Sequence, residues 1–228
     1  NRTTSDKYRS MLEKDALQLL RGCSAGHYNY DCNATVQHRW DNSNSQFGLL
    51  GVWAADLNRA EIPTTYWREV MRHWELCQNK DGGWGYRNEG DARASASRAT
   101  MTVGGIASLF VCFDHVFAEQ FVNCRMKFAY KPILAGLEWL DKNFPSTVRG
   151  SPNFYYLYGV ERVGLASGYK YFGKSDWYKL GTELLLKAQG GNGGWGNAVN
   201  TAFSLLFLVR GRNAVLFNKL EYEGDWNN

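Results

Sequence analysis

Two stretches of this chain are near copies of each other. Gln78 to Gly85 and Gln189 to Gly196 both read Gln-x3-Gly-Gly-Trp-Gly, 111 residues apart. Each follows an amphipathic helical pattern and precedes an almost wholly apolar one. A helix, a Gly/Trp turn and a second helix used more than once predict a helical repeat architecture, so the fold is read from that unit.

The flanking patterns draw four such pairs. The first helix of each is amphipathic: Tyr8, Met11, Leu12, Ala16, Leu19 and Leu20 mark one, and Trp67, Val70, Met71, Trp74 and Cys77 the next. Ile133, Leu137, Leu140 and Phe144 mark the third, and Trp177, Leu180, Leu184, Leu185 and Ala188 the fourth. Polar residues between them predict one wet face per helix. The second helices, 47–57, 101–113, 154–166 and 201–209, are apolar on nearly every side, which predicts burial all round. The expected fold is therefore all-α: an α/α toroid or open arc of about four hairpins, with inner apolar helices covered by outer amphipathic ones. It is expected to span residues 1–212. Residues 213–228 read as an extended exit segment leading to a downstream domain. The repeat is imperfect. Cys23 to Tyr28 stands where the first Gln/Trp turn belongs, the third unit has no such turn, 86–99 reads as a polar loop, and 114–127 reads as an insertion.

Composition narrows the function. With 44% hydrophobic and 15% aromatic residues the chain carries a core, which argues against disorder. The net charge of +4 is spread thinly, without the basic stripe that a nucleic-acid partner requires. No charge-free apolar run reaches the ~18 residues of a membrane span. The compartment stays open. Five irregularly spaced cysteines in a domain of this size read mostly as free thiols.

The Gln-x3-Gly-x-Trp turn after an outer helix resembles the repeat (the QW motif) of squalene–hopene cyclases and protein prenyltransferase β-subunits. The likeness covers about residues 7–212. The tracts from Asp41 to Phe47, Tyr156 to Gly164 and Phe217 to Trp226 are similar to large bacterial proteins that carry such repeats ahead of a second domain. The resemblance implies an α/α toroid around a cavity. In it Gln78, Trp84, Gln189 and Trp195 are structural clasps: the amide bonds backbone groups at a helix end, and the indole packs on the neighbouring pair. The family's chemistry does not carry over. The cyclases use an Asp-x-Asp-Asp acid, and no Asp-x-Asp occurs here; the prenyltransferase Asp-x-Cys zinc pair is also missing, since Asp31-Cys32 lacks the intervening residue. No cofactor is expected.

If the hairpins are antiparallel, the inner helices start at one rim. Asp41, Asn42, Asn44, Gln46, Thr102, Asn153, Tyr155, Asn200 and Thr201 would meet there, and Trp53 and Tyr158 would line the cavity below. Such a rim suits an oligosaccharide or an apolar small molecule. The plain alternative is that Asn, Ser and Thr only cap their own helices. For catalysis the candidates are Asp41, Glu161 and Tyr156. Glu161-Arg162 interrupts an apolar helix, where an ion pair or polar network between helices is the simpler reading. Cys23, His27, Cys32 and His38 have residue types that suit zinc, but their spacing matches no common module. Two functions result: a non-catalytic domain that binds a ligand, a partner protein or the downstream domain, or an enzyme with a nonstandard site using Asp41 and Glu161, glycan lyase- or hydrolase-like or isoprenoid-active. Whether the chain is an enzyme is left open.

Overall fold

The computed structural model describes residues 8–35, 39–89, 93–122, 129–148 and 150–210. The segment 213–228 expected to lead out of the domain lies outside the described residues, as does His38. The described fold is all-α: nine helices and two short hairpins among these residues. The helices are α1 (Arg9–Gly22), α2 (Asn42–Asp56), α3 (Thr64–Leu76), α4 (Ala99–Val116), α5 (Ala118–Val122), α6 (Lys131–Thr147), α7 (Phe154–Ser167), α8 (Trp177–Ala188) and α9 (Ala198–Arg210). The eight long ones coincide with the eight segments read from the sequence pattern.

Local chemistry sets their ends. Asp41 accepts the Asn44 amide at 2.8 Å and starts α2 five residues ahead of the apolar run. Asn153 caps α7 through the Tyr156 amide at 3.0 Å, and Asp176 caps α8 through Lys179 at 3.0 Å. Gly168 ends α7 with φ 73°, a left-handed stop that costs glycine no strain. The loop 86–99 carries a two-residue antiparallel ladder, β1 (Asn88–Glu89) with β2 (Arg93–Ala94). A second ladder, β3 (Tyr171–Phe172) with β4 (Ser175–Asp176), leads into α8.

The apolar helices form a row in chain order, α2 beside α4, α4 beside α7 and α7 beside α9. Helix α1 packs on α2, α3 and α6 pack on α4, and α8 packs on α7. Helix α4 is the hub. Its residues Met101 to Leu109 are buried without a break. It is also the one described helix long and apolar enough to cross a membrane (18 residues, mean hydropathy 1.4), yet 67% of it is covered by the protein itself. In α7, Tyr156 to Gly164 are buried without a break. The expectation of burial on all sides fails for α9. Ser204 and Phe207 are sealed, but Leu205, Leu206 and Val209 are 50, 39 and 66% exposed. The reason is position: α9 ends the row, and no described helix lies beyond it.

The turns explain how one hairpin is locked to the next. The Trp84 indole donates to the Trp74 carbonyl at 2.8 Å, and the Trp195 indole to Leu185 at 2.9 Å. The Gln78 amide reaches the Gly82 carbonyl at 2.9 Å, and Gln189 reaches Gly193 at 2.8 Å. The Trp84 backbone N–H donates to Thr102 Oγ1 at 3.1 Å, and Trp195 to Thr201 at 3.0 Å. The first unit, with none of these Gln or Trp residues, keeps the same geometry. There the Tyr28 N–H donates to Ser45 Oγ at 3.1 Å. The ring of Tyr28 lies where a Cβ on Gly48 would sit (2.4 Å), and that of Trp84 where one on Gly105 would sit (2.5 Å), each three residues beyond the bonding hydroxyl. A side chain at either glycine would push the ring out of the joint. Gly26 and Gly82 take matching left-handed φ values of 81° and 90°.

Candidate functional site

The first turn of α2 brings one expected rim residue of another helix, Tyr155, to Ser43 and Gln46 of its own. On one side of it, Tyr155 from α7 places its hydroxyl 3.2 Å from Ser43 Oγ and in hydrogen-bond contact with Gln46 Nε2. The Gln46 carbonyl oxygen accepts Arg162 Nη1 at 3.2 Å. The Arg162 guanidinium lies 5.7 Å from the Tyr158 ring centre, a cation–π distance. Arg162, Gln46, Tyr155 and Ser43 thus form one polar chain running from buried to half-buried ground. Rings flank it: Phe47 lies 6.0 Å from Tyr155, and Phe203 of α9 lies 5.7 Å from Tyr155 and 5.2 Å from Tyr158. Phe47 is 41% exposed, and Ser43, Asn44, Tyr155 and Phe203 are half-buried. Burial pushes the Tyr155 hydroxyl above its ordinary pKa, with Ser43, Arg162 and Gln46 pulling the other way. It is a neutral donor and acceptor at physiological pH.

On the other side of the same turn, Asn42 is buried. Its amide donates to the Gly85 carbonyl at 2.9 Å, and its oxygen meets His73 Nε2 at 3.1 Å. Tyr86 lies against Asp41 and against the exposed Tyr30, its hydroxyl 3.3 Å from the Tyr30 hydroxyl. Burial, then these two neighbours, raise the Tyr86 pKa. Half-buried His27 and Trp40 stack at 5.0 Å beside His73.

The remaining expected residues are placed as follows. Thr102 and Thr201 serve the Trp84 and Trp195 turns. Asn153 and Asp41 are helix caps, and Asp41 Oδ2 also accepts the Asn44 side chain at 2.7 Å. The Asn200 N–H donates to Asn197 Oδ1 at 2.8 Å. Trp53 is half-buried on α2 and packs on the core. Tyr156 turns away from Tyr155, with its ring 6.4 Å from Phe144 of α6. Asp41, Glu161 and Tyr156 are 0, 0 and 2% exposed, so none of the three reaches solvent. Cys23, His27 and Cys32 do not gather: among the described residues no three His, Cys, Asp or Glu side chains are arranged to hold a metal ion. Burial first, then Glu69, pushes the Cys23 thiol up to about 12, which leaves it protonated.

Sequence reasoning missed one constellation. Cys77, His73 and Asn42 bear the residue types of a cysteine-nucleophile triad, and the i, i+4 spacing of His73 in the last turn of α3 and Cys77 just after it was the available signal. The geometry removes the chemistry. Cys77 Sγ stands 3.7 Å from His73 Nδ1 and 3.8 Å from Nε2, so it aligns with neither lone pair. Burial raises the thiol to about 12 and lowers His73 to about 3, helped by nearby His27. Both groups rest in the neutral form, the reverse of an activated thiolate–imidazolium pair. Comparison with known protein families, with characterised proteins and with solved structures finds no match to this chain.

Proposed function

We propose that this chain is a non-catalytic binding domain, built as an α/α toroid or open arc of hairpins of the squalene–cyclase/prenyltransferase repeat type. Three observations support that architecture: the row of apolar helices, the amphipathic helices packed on it, and the turn geometry used three times. The ligand is an uncharged, oxygen-rich molecule with apolar faces, best met by an oligosaccharide. The observation that carries this is the Ser43–Tyr155–Gln46–Arg162 chain beside the half-exposed rings of Phe47 and Phe203. Neutral donors and acceptors next to aromatic faces suit hydroxyls on one edge of a ligand and C–H faces on the other. A downstream domain or a partner protein would extend the same role. The enzyme reading needs Asp41 and Glu161 to act on a ligand, and both are sealed.

The experiment is titration of cello-, xylo- and chito-oligosaccharides, with isoprenoid alcohols as the second arm, followed by thermal shift and by NMR of side-chain amides. A ligand at a hundredfold over its Kd adds about 2.7 kcal/mol of stability. Oligosaccharide binding that moves Gln46 resonances and weakens in Tyr155→Phe supports the reading. An isoprenoid response instead would move the site to the apolar interior. Silence from both arms would end the small-molecule reading and leave protein interaction. Turnover of any bound glycan would refute the non-catalytic claim.

A further inference from the structure

The three turns differ in what lies against them. In the first, a Cβ on Gly26 would stand 2.3 Å from the Glu69 carbonyl of α3 and 2.9 Å from His73 Cβ. In the second, a Cβ on Gly82 would stand 2.5 Å from the Ala135 carbonyl of α6, and one on Gly83 2.9 Å from Trp139 Nε1. Each time the outer helix of the following hairpin lays a backbone carbonyl on the left-handed glycine. One turn further along, that helix sets a nitrogen-bearing ring on the same joint. The second turn adds bonds: Gln78 Nε2 donates to Pro132 O at 2.9 Å, and Trp139 Nε1 donates to Asp81 Oδ2 at 3.0 Å.

The third turn has the same internal bonds and, among the described residues, none of this cover. Gly193 keeps φ 81°, but a Cβ there would meet no atom of the described residues within 4 Å. Gln189 and Asn192, which stand where Gln78 and Asp81 stand, are exposed. Among the described residues their side chains bond only within the turn. The helix behind tells the same story. Four residues after the bonding hydroxyl come Leu49, Ile106 and Leu205, which are 0, 0 and 50% exposed. The α6 helix seals Ile106: a Cβ on Gly136 would lie 2.7 Å from Ile106 Cγ1. Val199, Leu206, Val209 and Leu186 of α8 extend the wet apolar face.

We infer that the α8–α9 edge is a docking surface for a further amphipathic helix of the α6 kind, supplied by a hairpin partner. Its docking face carries a small residue over Leu205, a backbone carbonyl over Gly193, a first-turn carbonyl for the Gln189 amide, and a ring over Asn192, whose amide nitrogen replaces the Asp81 oxygen that Trp139 uses. Apart from that one oxygen, the inner row α2–α4–α7–α9 and the turn at 189–196 already present the complementary groups that α6 uses at its own seat.

The probe is α6 itself. The full chain is extended after Asn228 by a second copy of the 131–148 sequence. The 18 residues from 211 to 228 exceed the 14 that join α4 to α6, so the tether reaches the seat. Tethering gives the copy an effective concentration of order millimolar. Leu205→Cys, at a half-exposed position, reports occupancy through its rate of reaction with a thiol reagent, read by peptide mass spectrometry. Circular dichroism of each variant verifies the fold. The expected result is slowing of at least about tenfold, reversed when the copy bears Leu in place of its Gly136 equivalent and weakened by Gln189→Ala. Equal rates with and without the copy overturn the inference. So does protection that rises with protein concentration in the unextended chain, which would seat a second whole copy there.

Discussion

Adding one methyl group to each of two matching turns separates joint packing from backbone preference. Gly83 and Gly194 occupy the same place, just before the tryptophan, and neither has a left-handed φ. In Gly83→Ala the new Cβ meets Ser97 Cβ at 2.6 Å, Ser97 Oγ at 2.7 Å and Trp139 Nε1 at 2.9 Å. Neither neighbour can retreat freely. Ser97 Oγ donates to Asp81 Oδ1 at 2.7 Å and accepts from Asn79 Nδ2 at 2.9 Å, while Trp139 donates to the other Asp81 oxygen at 3.0 Å. Overpacking of this kind costs ~1–3 kcal/mol. Loosening a bond to the Asp81 carboxylate adds ~1 kcal/mol, discounted because Asp81 is exposed. The stiffer unfolded chain returns ~0.4–1 kcal/mol. The net loss is ~2–3 kcal/mol. In Gly194→Ala the nearest atoms are Thr201 Oγ1 at 3.3 Å and Asn192 Oδ1 at 3.5 Å, with open space where Trp139 would stand. The squeeze costs a few tenths and the entropy gain offsets it, for a net change within ~0.5 kcal/mol. Urea unfolding at constant m reads the difference directly. Thermal midpoints fall by ~4–12 °C for the first variant, taking 2–4 °C per kcal/mol, and stay put for the second. Equal losses at the two sites would refute the claim that α6 sits on the Gly83 joint and that no described helix sits on the Gly194 joint.

Truncating Trp84 or Trp195 to Ala removes an indole that is 0 or 4% exposed, together with its bond to a helix carbonyl; each is expected to cost ~3–5 kcal/mol by urea titration, and a loss below ~1 kcal/mol would take that ring out of the core. His73 has a folded-state pKa of about 3 against 6.5 for the free group, so the unfolded chain binds the extra proton first. The stability it confers is whole above pH 6.5 and drains away toward pH 3, at up to ~1.4 kcal/mol per pH unit. Urea midpoints measured between pH 7.5 and 5 should slope in the wild type and flatten in His73→Gln, and parallel slopes would place the titration elsewhere. Tyr155→Phe deletes the bonds to Ser43 and Gln46 while keeping the ring; it should weaken oligosaccharide binding about fivefold, a loss of ~1 kcal/mol, with little change in the thermal midpoint.

The long helices were readable because a 3.6-residue rhythm of apolar residues recurs in each outer helix and a nearly unbroken apolar run follows it. The turns were half readable. Gln78/Trp84 and Gln189/Trp195 announce themselves, but the first copy of the joint was invisible, since Tyr28 takes the place of tryptophan and Ser45 that of threonine. What survives there is a spacing, hydroxyl to glycine in three residues, carried by side chains too common to stand out. At the rim, Gln46 and Tyr155, both singled out from the sequence, lie in contact at the start of α2, while Asn42 faces the other side of that turn. That Tyr156 faces α6 depends on helix rotation, and that Arg162 reaches across to Gln46 depends on a partner 116 residues away; that Asp41 is used up as a cap is local, through Asn44 three residues on. The exposure of α9 could not be foretold either, because an apolar helix reads alike in the middle of a row and at its end.

The central place of α4 has a kinetic consequence. Four long helices rest on that one helix, so none of them can leave its seat there without baring its unbroken apolar surface to water. Opening from the other terminus strips far less, because α9 leans on α7 and is already half wet. Backbone amides of α4 should therefore surrender their protons to deuterium only in global unfolding, while α8 and α9 exchange through a cheaper, partial release that leaves the rest of the row standing.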